Sequence, residues 1–203
     1  MAAPALAVVG TAPVIPNAFD HGEYRTPDGE TLGTFRASTP ARRDRTDGHV
    51  VTTTTILDAD GRPVLTLLRR PYLPWMITPM GTRCRAQHEL VGDDGALLAI
   101  ARARARSIWS RLRIGIQTVT VGDGVLIERR ARGERRFEVH TDAGVELATI
   151  TARSELNVMT EIWVDHATTD AAWRTTIVAL ATCLPAFGVG GPSWMGADPV
   201  PGA

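Results

Sequence analysis

Arginine is the residue whose number and spacing in this chain offer chemistry. All 22 basic residues are Arg, with no Lys, and they balance 22 acidic residues to a formal charge of zero. The run ARARAR, residues 101–106, alternates strictly. Successive strand side chains point to opposite faces, so Arg102, Arg104 and Arg106 share one face and the alanines the other. The run ERRARGERR then adds Arg129, Arg130, Arg132, Arg135 and Arg136. Residues 101–136 hold ten Arg against Asp123, Glu128 and Glu134, whereas residues 137–203 hold Arg153 and Arg174 against eight acids. The zero total therefore conceals a polarity. A guanidinium is a planar fork that binds phosphate through two parallel hydrogen bonds, and each basic residue beside an anionic surface contributes about 1 kcal/mol of attraction. Ile108, Trp109 and Leu112 lie among Arg106, Arg111 and Arg113, and Trp suits a boundary between apolar and wet surroundings. The candidate anion site is thus Arg102, Arg104, Arg106, Arg111, Arg113, Arg129 and Arg130 with Trp109. The competing reading makes these arginines the solvated outer face of strands, paired in part with Glu128, Glu134 and Glu138.

Other chemistries find no support. Asp58-Ala59-Asp60-Gly61 begins like a calcium loop, but that loop needs oxygen ligands at its fifth and twelfth positions, here Arg62 and Arg69. Asp93-Asp94-Gly95 reads as a turn in the same way. The histidines His21, His49, His88, His140 and His166 show no ligand spacing and read as strand-end or loop residues. A phosphate loop of the nucleotide hydrolases ends in Lys, which is missing. Ser193 lies in GPSWMG, which is not a nucleophile elbow. Cys84 and Cys183 form no C-x-x-C unit, and no base can be assigned to Cys84 between Arg83 and Arg85. No catalytic residue, metal or cofactor is expected. The balanced charge argues against a surface adapted throughout to nucleic acid.

These residues must be held by strands. An apolar alternation, an Asp-Gly type turn and a second alternation recur in TPDGETLGTF, ILDADGRPVLTLL, ELVGDDGALLAIA, TVTVGDGVLIE and FEVHTDAGVELATI. Asp-Gly enters positive φ at little steric cost, so this phrase predicts five hairpins, about ten strands. The pattern changes once, at DAAWRTTIVALATCLP, where Trp173, Ile177, Leu180 and Leu184 recur at helical spacing after the N-cap candidates Thr168, Thr169 and Asp170. Beyond Arg174 this helix is uncharged on every face, which suits the inside of a core or a membrane. Its span, Ala171 to Leu184, is about 21 Å at 1.5 Å per residue, short of the roughly 30 Å hydrocarbon layer, which favours the core.

The order of these elements resembles the tubby C-terminal-like superfamily, whose LURP-one-related members and phospholipid scramblases share a closed β-barrel threaded by a central helix. The elements that carry the resemblance are ILDADGRPVLTLLRR, ELVGDDGALLAIARAR, FEVHTDAGVELATITAR, MTEIWV and ATTDAAWRTTIVALATCL, from Val50 to Phe187. The physics runs the same way: closing ten or more strands removes two sheet edges. A lumen lined by short side chains such as Ala99, Ala101, Ala148 and Thr149 then needs an apolar helix to fill it. Tubby domains bind phosphoinositides, so the resemblance implies a headgroup site; no binding residue carries over by number.

The expected fold is all-β, a closed antiparallel barrel of about 10–12 strands around a hydrophobic C-terminal helix. Residues 1–25 are expected as a flexible arm, broken by Pro4, Pro13 and Pro16 and without the positive charge of a signal peptide. Residues 26–190 form the barrel domain with a polar loop at 36–48, and residues 191–203 a flexible tail. The expected function is a non-catalytic, cytoplasmic lipid- or anion-binding module, with a peripheral place at the membrane as a further option. Its partners would be anionic phospholipid headgroups at a membrane surface. The alternatives are a membrane-active scramblase-like protein, and a scaffold for a protein partner or for self-association.

Overall fold

The computed structural model describes residues 6–11, 21–38, 52–71, 86–103, 113–130, 135–155 and 158–184. They form twelve strands and one helix. The strands are β1 (Leu6–Thr11), β2 (His21–Arg25), β3 (Thr31–Ser38), β4 (Thr52–Asp58), β5 (Pro63–Pro71), β6 (Ala86–Gly92), β7 (Leu97–Ala103), β8 (Arg113–Thr118), β9 (Gly124–Arg130), β10 (Arg135–Thr141), β11 (Glu146–Glu155) and β12 (Val158–His166); the helix is α1 (Ala171–Cys183).

All five predicted hairpins form, and each turn contains a glycine at positive φ: Gly29, Gly61, Gly95, Gly122 and Gly144. The β4–β5 turn shows why. Gly61 N donates to Asp58 O at 3.0 Å and Asp58 N to Arg62 O at 2.9 Å, a turn whose last residue must be left-handed, at φ 78°. The Asp58 carboxylate adds bonds from the backbone N–H of Asp60 at 2.9 Å and of Arg62 at 2.8 Å. Its role is to cap a turn. Among the described residues, no cluster of His, Cys, Asp and Glu is arranged to hold a metal.

Every strand pairs antiparallel with its neighbour, and β1 pairs with both β12 and β2, which closes the barrel. This corrects the reading of residues 1–25 as an arm, since β1 and β2 lie within them. LAVVGT, though short and close to prolines, has the β-branched residues a strand needs. Pairing it also covers edges that β2 and β12 would otherwise expose. Gly-containing turns join β2 to β3, β4 to β5, β6 to β7, β8 to β9 and β10 to β11, so all five lie at one end of the barrel, the turn end. By the same alternation β12 ends there, and α1 starts there.

Inward positions alternate with outward ones, as in the burial of Thr52, Thr54 and Ile56 along β4. The lumen holds Phe35, Ile114, Ile116, Leu126, Phe137, Ile150 and Ile162, all essentially inaccessible. Asp170 caps α1 by accepting from Trp173 N at 3.0 Å. The helix then runs through the lumen with Trp173, Ile177, Ala179, Leu180, Ala181 and Cys183 buried. Its close fit is set by small residues on the wall. A side chain at Gly124 would stand 2.8 Å from the Trp173 ring and 2.6 Å from His140 O, and Ala99, Ala101 and Ala148 are buried. Thr149 differs from expectation: it lies outside the lumen, donating to Glu146 Oε1 at 3.0 Å. No described helix is long and apolar enough to cross a membrane.

Candidate functional site

The end of the barrel opposite the Gly-containing turns, here the far end, gathers the strand-end arginines. β3 carries Arg36 toward it, β5 ends in Arg69 and Arg70, β7 in Arg102, and β9 in Arg129 and Arg130; β8 starts with Arg113, and β10 with Arg135 and Arg136. Of the residues singled out in the sequence, Arg102, Arg113, Arg129 and Arg130 therefore share one end. Arg104, Arg106, Trp109 and Arg111 lie outside the described residues, as do Arg132, Glu134, Cys84 and Ser193.

On the outer face these arginines join lateral networks. Arg70 Nε donates to Glu89 Oε2 at 2.8 Å, Gln87 Nε2 to Glu89 Oε1 at 2.8 Å, and Arg102 to Gln87 Oε1 at 2.7 Å and Gln117 Oε1 at 3.1 Å. This chain crosses β5, β6, β7 and β8. Arg129 Nε bonds Glu138 Oε2 at 2.9 Å; at inward positions, in line with Leu126 and Phe137, Arg135 Nη2 bonds Glu128 Oε1 at 2.7 Å. The Arg129 hydrogen bond holds the Glu138 carboxyl below its ordinary range. The expected pairing with Glu128 and Glu138 is thus present. Ala101 is buried and Arg102 half-exposed, as the alternation requires.

The β9–β10 pair has an uncommon register at this end: Arg129 stands opposite Arg136, and Arg130 opposite Arg135. Like charges directly opposite across strands are unfavourable. The two pairs fall on opposite faces: Arg130 and Arg135 stand at positions in line with the inward Leu126 and Phe137, whereas Arg129 and Arg136 lie on the outer face with the exposed Arg113 of β8.

Inside the lumen toward the same end lies a polar cluster that sequence reasoning missed. Arg69 and His88 are buried and directly opposite in the β5–β6 register. Burial, and then the Arg69 guanidinium, pushes the His88 imidazole down to about 3. Burial also lowers Arg69 and raises the Cys183 thiol. Cys183 Sγ donates to Leu180 O at 3.3 Å, so this cysteine is an inert core residue. A void of about 10 Å³, on the scale of one water, is lined by Leu67, His88, Leu90, Thr176 and Cys183 among others. Tyr24 Oη donates to Thr182 Oγ1 at 2.8 Å, since that hydroxyl itself donates to Val178 O. The available signal was parity: Arg69 and His88 fall on the inward positions set by Leu67 and Leu90.

The turn end has the opposite character. Asp28, Glu30, Asp60, Asp93, Asp94, Asp123, Asp142, Glu146, Asp165 and Asp170 lie in or beside its turns and are exposed. The exposed large apolar residues among those described, Leu32, Val64, Leu97, Val119 and Val145, all belong to the same turns or the first residues after them. Charge is thus sorted along the barrel axis and not by the chain segments in which the sequence showed an imbalance: six of these ten acids precede residue 137.

No protein-family model and no curated protein matches this chain. Among solved structures it is similar to the X-ray structure of a protein from Arabidopsis thaliana, with 12% sequence identity, a TM-score of 0.47, and 88% of each chain covered.

Proposed function

We propose that this protein is a non-catalytic phosphate-recognition module, of the tubby-like kind its sequence resembles, that docks on anionic lipid headgroups through the far end of its barrel. The observation that carries the reading is Arg113 and Arg136, both exposed on the outer face at this end, with Arg129 directly opposite Arg136. Of these three arginines only Arg129 is matched by a carboxylate among the described residues, that of Glu138, so the outer face keeps an excess of positive charge for an anion. The adjacent exposed Arg113 extends the positive surface to β8.

The test is flotation with vesicles of neutral lipid, of phosphatidylserine mixtures and of phosphoinositide mixtures. Wild type is expected to bind the anionic vesicles, less so as salt rises. Arg113→Gln with Arg136→Gln should lower binding sharply and flatten its salt dependence. The melting transition should stay nearly unchanged, because exposed charges contribute little to stability. Failure of the wild type to bind anionic vesicles at low salt would remove this reading.

A further inference from the structure

The two ends of the barrel are complementary to each other, and the sides are not open to pairing. Closure leaves no strand edge among the described strands for another sheet to extend. On the far half of the outer wall some charges are matched within the chain, as in Arg70 with Glu89 and Arg129 with Glu138. Unlike charge and exposed apolar surface are left at the ends. The turn end is acidic and presents Val119, 64% exposed, and Val145, 60% exposed, next to Asp142. The far end carries Arg113 and Arg136, both exposed. The whole chain has equal numbers of positive and negative residues. A surface of the opposite charge to each end is thus supplied by the other end of a second copy of the same molecule.

We propose that this protein self-associates head to tail, the acidic, Val-bearing turn end of one copy seating on the arginine end of the next. The contact joins two different surfaces, so it propagates into a linear chain unless rotation between copies closes a ring. Zero net charge removes the long-range repulsion that would otherwise keep copies apart. The valines supply apolar contact that salt does not screen, and the charges set polarity and register. Lipid docking uses only the far end, so this association stands independently of it.

Sedimentation velocity of the full chain over a range of concentrations tests the proposal. At about 0.01 M salt, where screening reaches about 30 Å, the average mass should rise with concentration beyond that of a dimer; at 1 M, where it reaches about 3 Å, association should weaken sharply, to what the apolar contact alone supports. Val119→Ser with Val145→Ser disables one end, and Arg113→Gln with Arg136→Gln the other. Each variant alone should associate at least tenfold more weakly than wild type. Mixed in equal amounts they should form a dimer that grows no further, since each contributes its one intact end. The valine variant should still bind anionic vesicles if the lipid reading holds, which separates failure of one idea from failure of the other. All four substitutions are at exposed positions, and a melting scan verifies folding. A monomeric wild type at low salt, a variant that dimerises undiminished by itself, or a mixture that remains monomeric overturns the proposal.

Discussion

His88 faces Arg69 across the β5–β6 register inside the lumen, so protonating it buries a second positive charge beside the first. Its folded value, about 3, is below the ordinary 6.5, so the unfolded chain takes up the proton first. Stability is then full above about pH 6.5 and declines as pH falls toward 3, by at most about 1.4 kcal/mol per pH unit for one proton. His166, lowered by burial and then by Arg174, adds in the same direction. Glu138, held low by Arg129, contributes only once pH reaches the carboxylate range. Denaturant melts between about pH 5 and 7 should show the slope, and His88→Leu should flatten it; an unchanged slope would assign the acid sensitivity to other groups. Tyr24→Phe is the milder test of this interior. It removes one buried hydrogen bond to Thr182, which keeps its own bond to Val178 O, and should cost about 1 kcal/mol.

At the scale of elements, α1 acts as the plug around which the walls close. Leu180 is buried on it, so Leu180→Asp places an unpaired carboxylate in the lumen at a cost of several kcal/mol. No soluble, cooperatively melting protein is expected. The hairpins are more forgiving. Gly61→Val or Gly144→Val forces a β-branched residue to positive φ and should cost about 1 kcal/mol or more, seen as a lower denaturant midpoint. Asp58→Asn keeps the oxygen that caps the turn, so it should melt close to wild type and give no calcium-dependent shift. These elements were readable in the sequence because each hairpin carries its own glycine and α1 has both a cap and a period. The lumen's polar cluster was not readable: Arg69 sits in an RRP run that reads as a strand end, and only the pairing with His88 shows that it turns inward. The site was half legible, since alternation placed Arg102 outside, while the like-charge register of β9 and β10 appears only once the strands are paired.

For the whole molecule, closure depends on the strand that sequence reading set aside. β1 has no local turn to announce it, and its partners, β2 and β12, are separated in sequence by nine other strands. Removing residues 1–11 should expose the edges of β2 and β12 and produce concentration-dependent aggregation, which light scattering would report; a monomeric, fully stable truncation would show that β1 is dispensable. An imbalance between chain segments was legible in the sequence, but the sorting of charge along the axis appears only when alternating connections place the turns at one end and the strand-end arginines at the other. The pairing of β1 with β12 also governs timing. During synthesis the first strand emerges with no mate, and the plug that fills the lumen is the last described element to leave the ribosome. Hairpins can form as they appear, since each is local, but the barrel cannot seal until nearly all the described chain is free. Through that interval the inner faces of the strands already made stay uncovered, so this chain's exposure to chaperones and to misassembly is set by the rate of translation as much as by the stability of the finished fold.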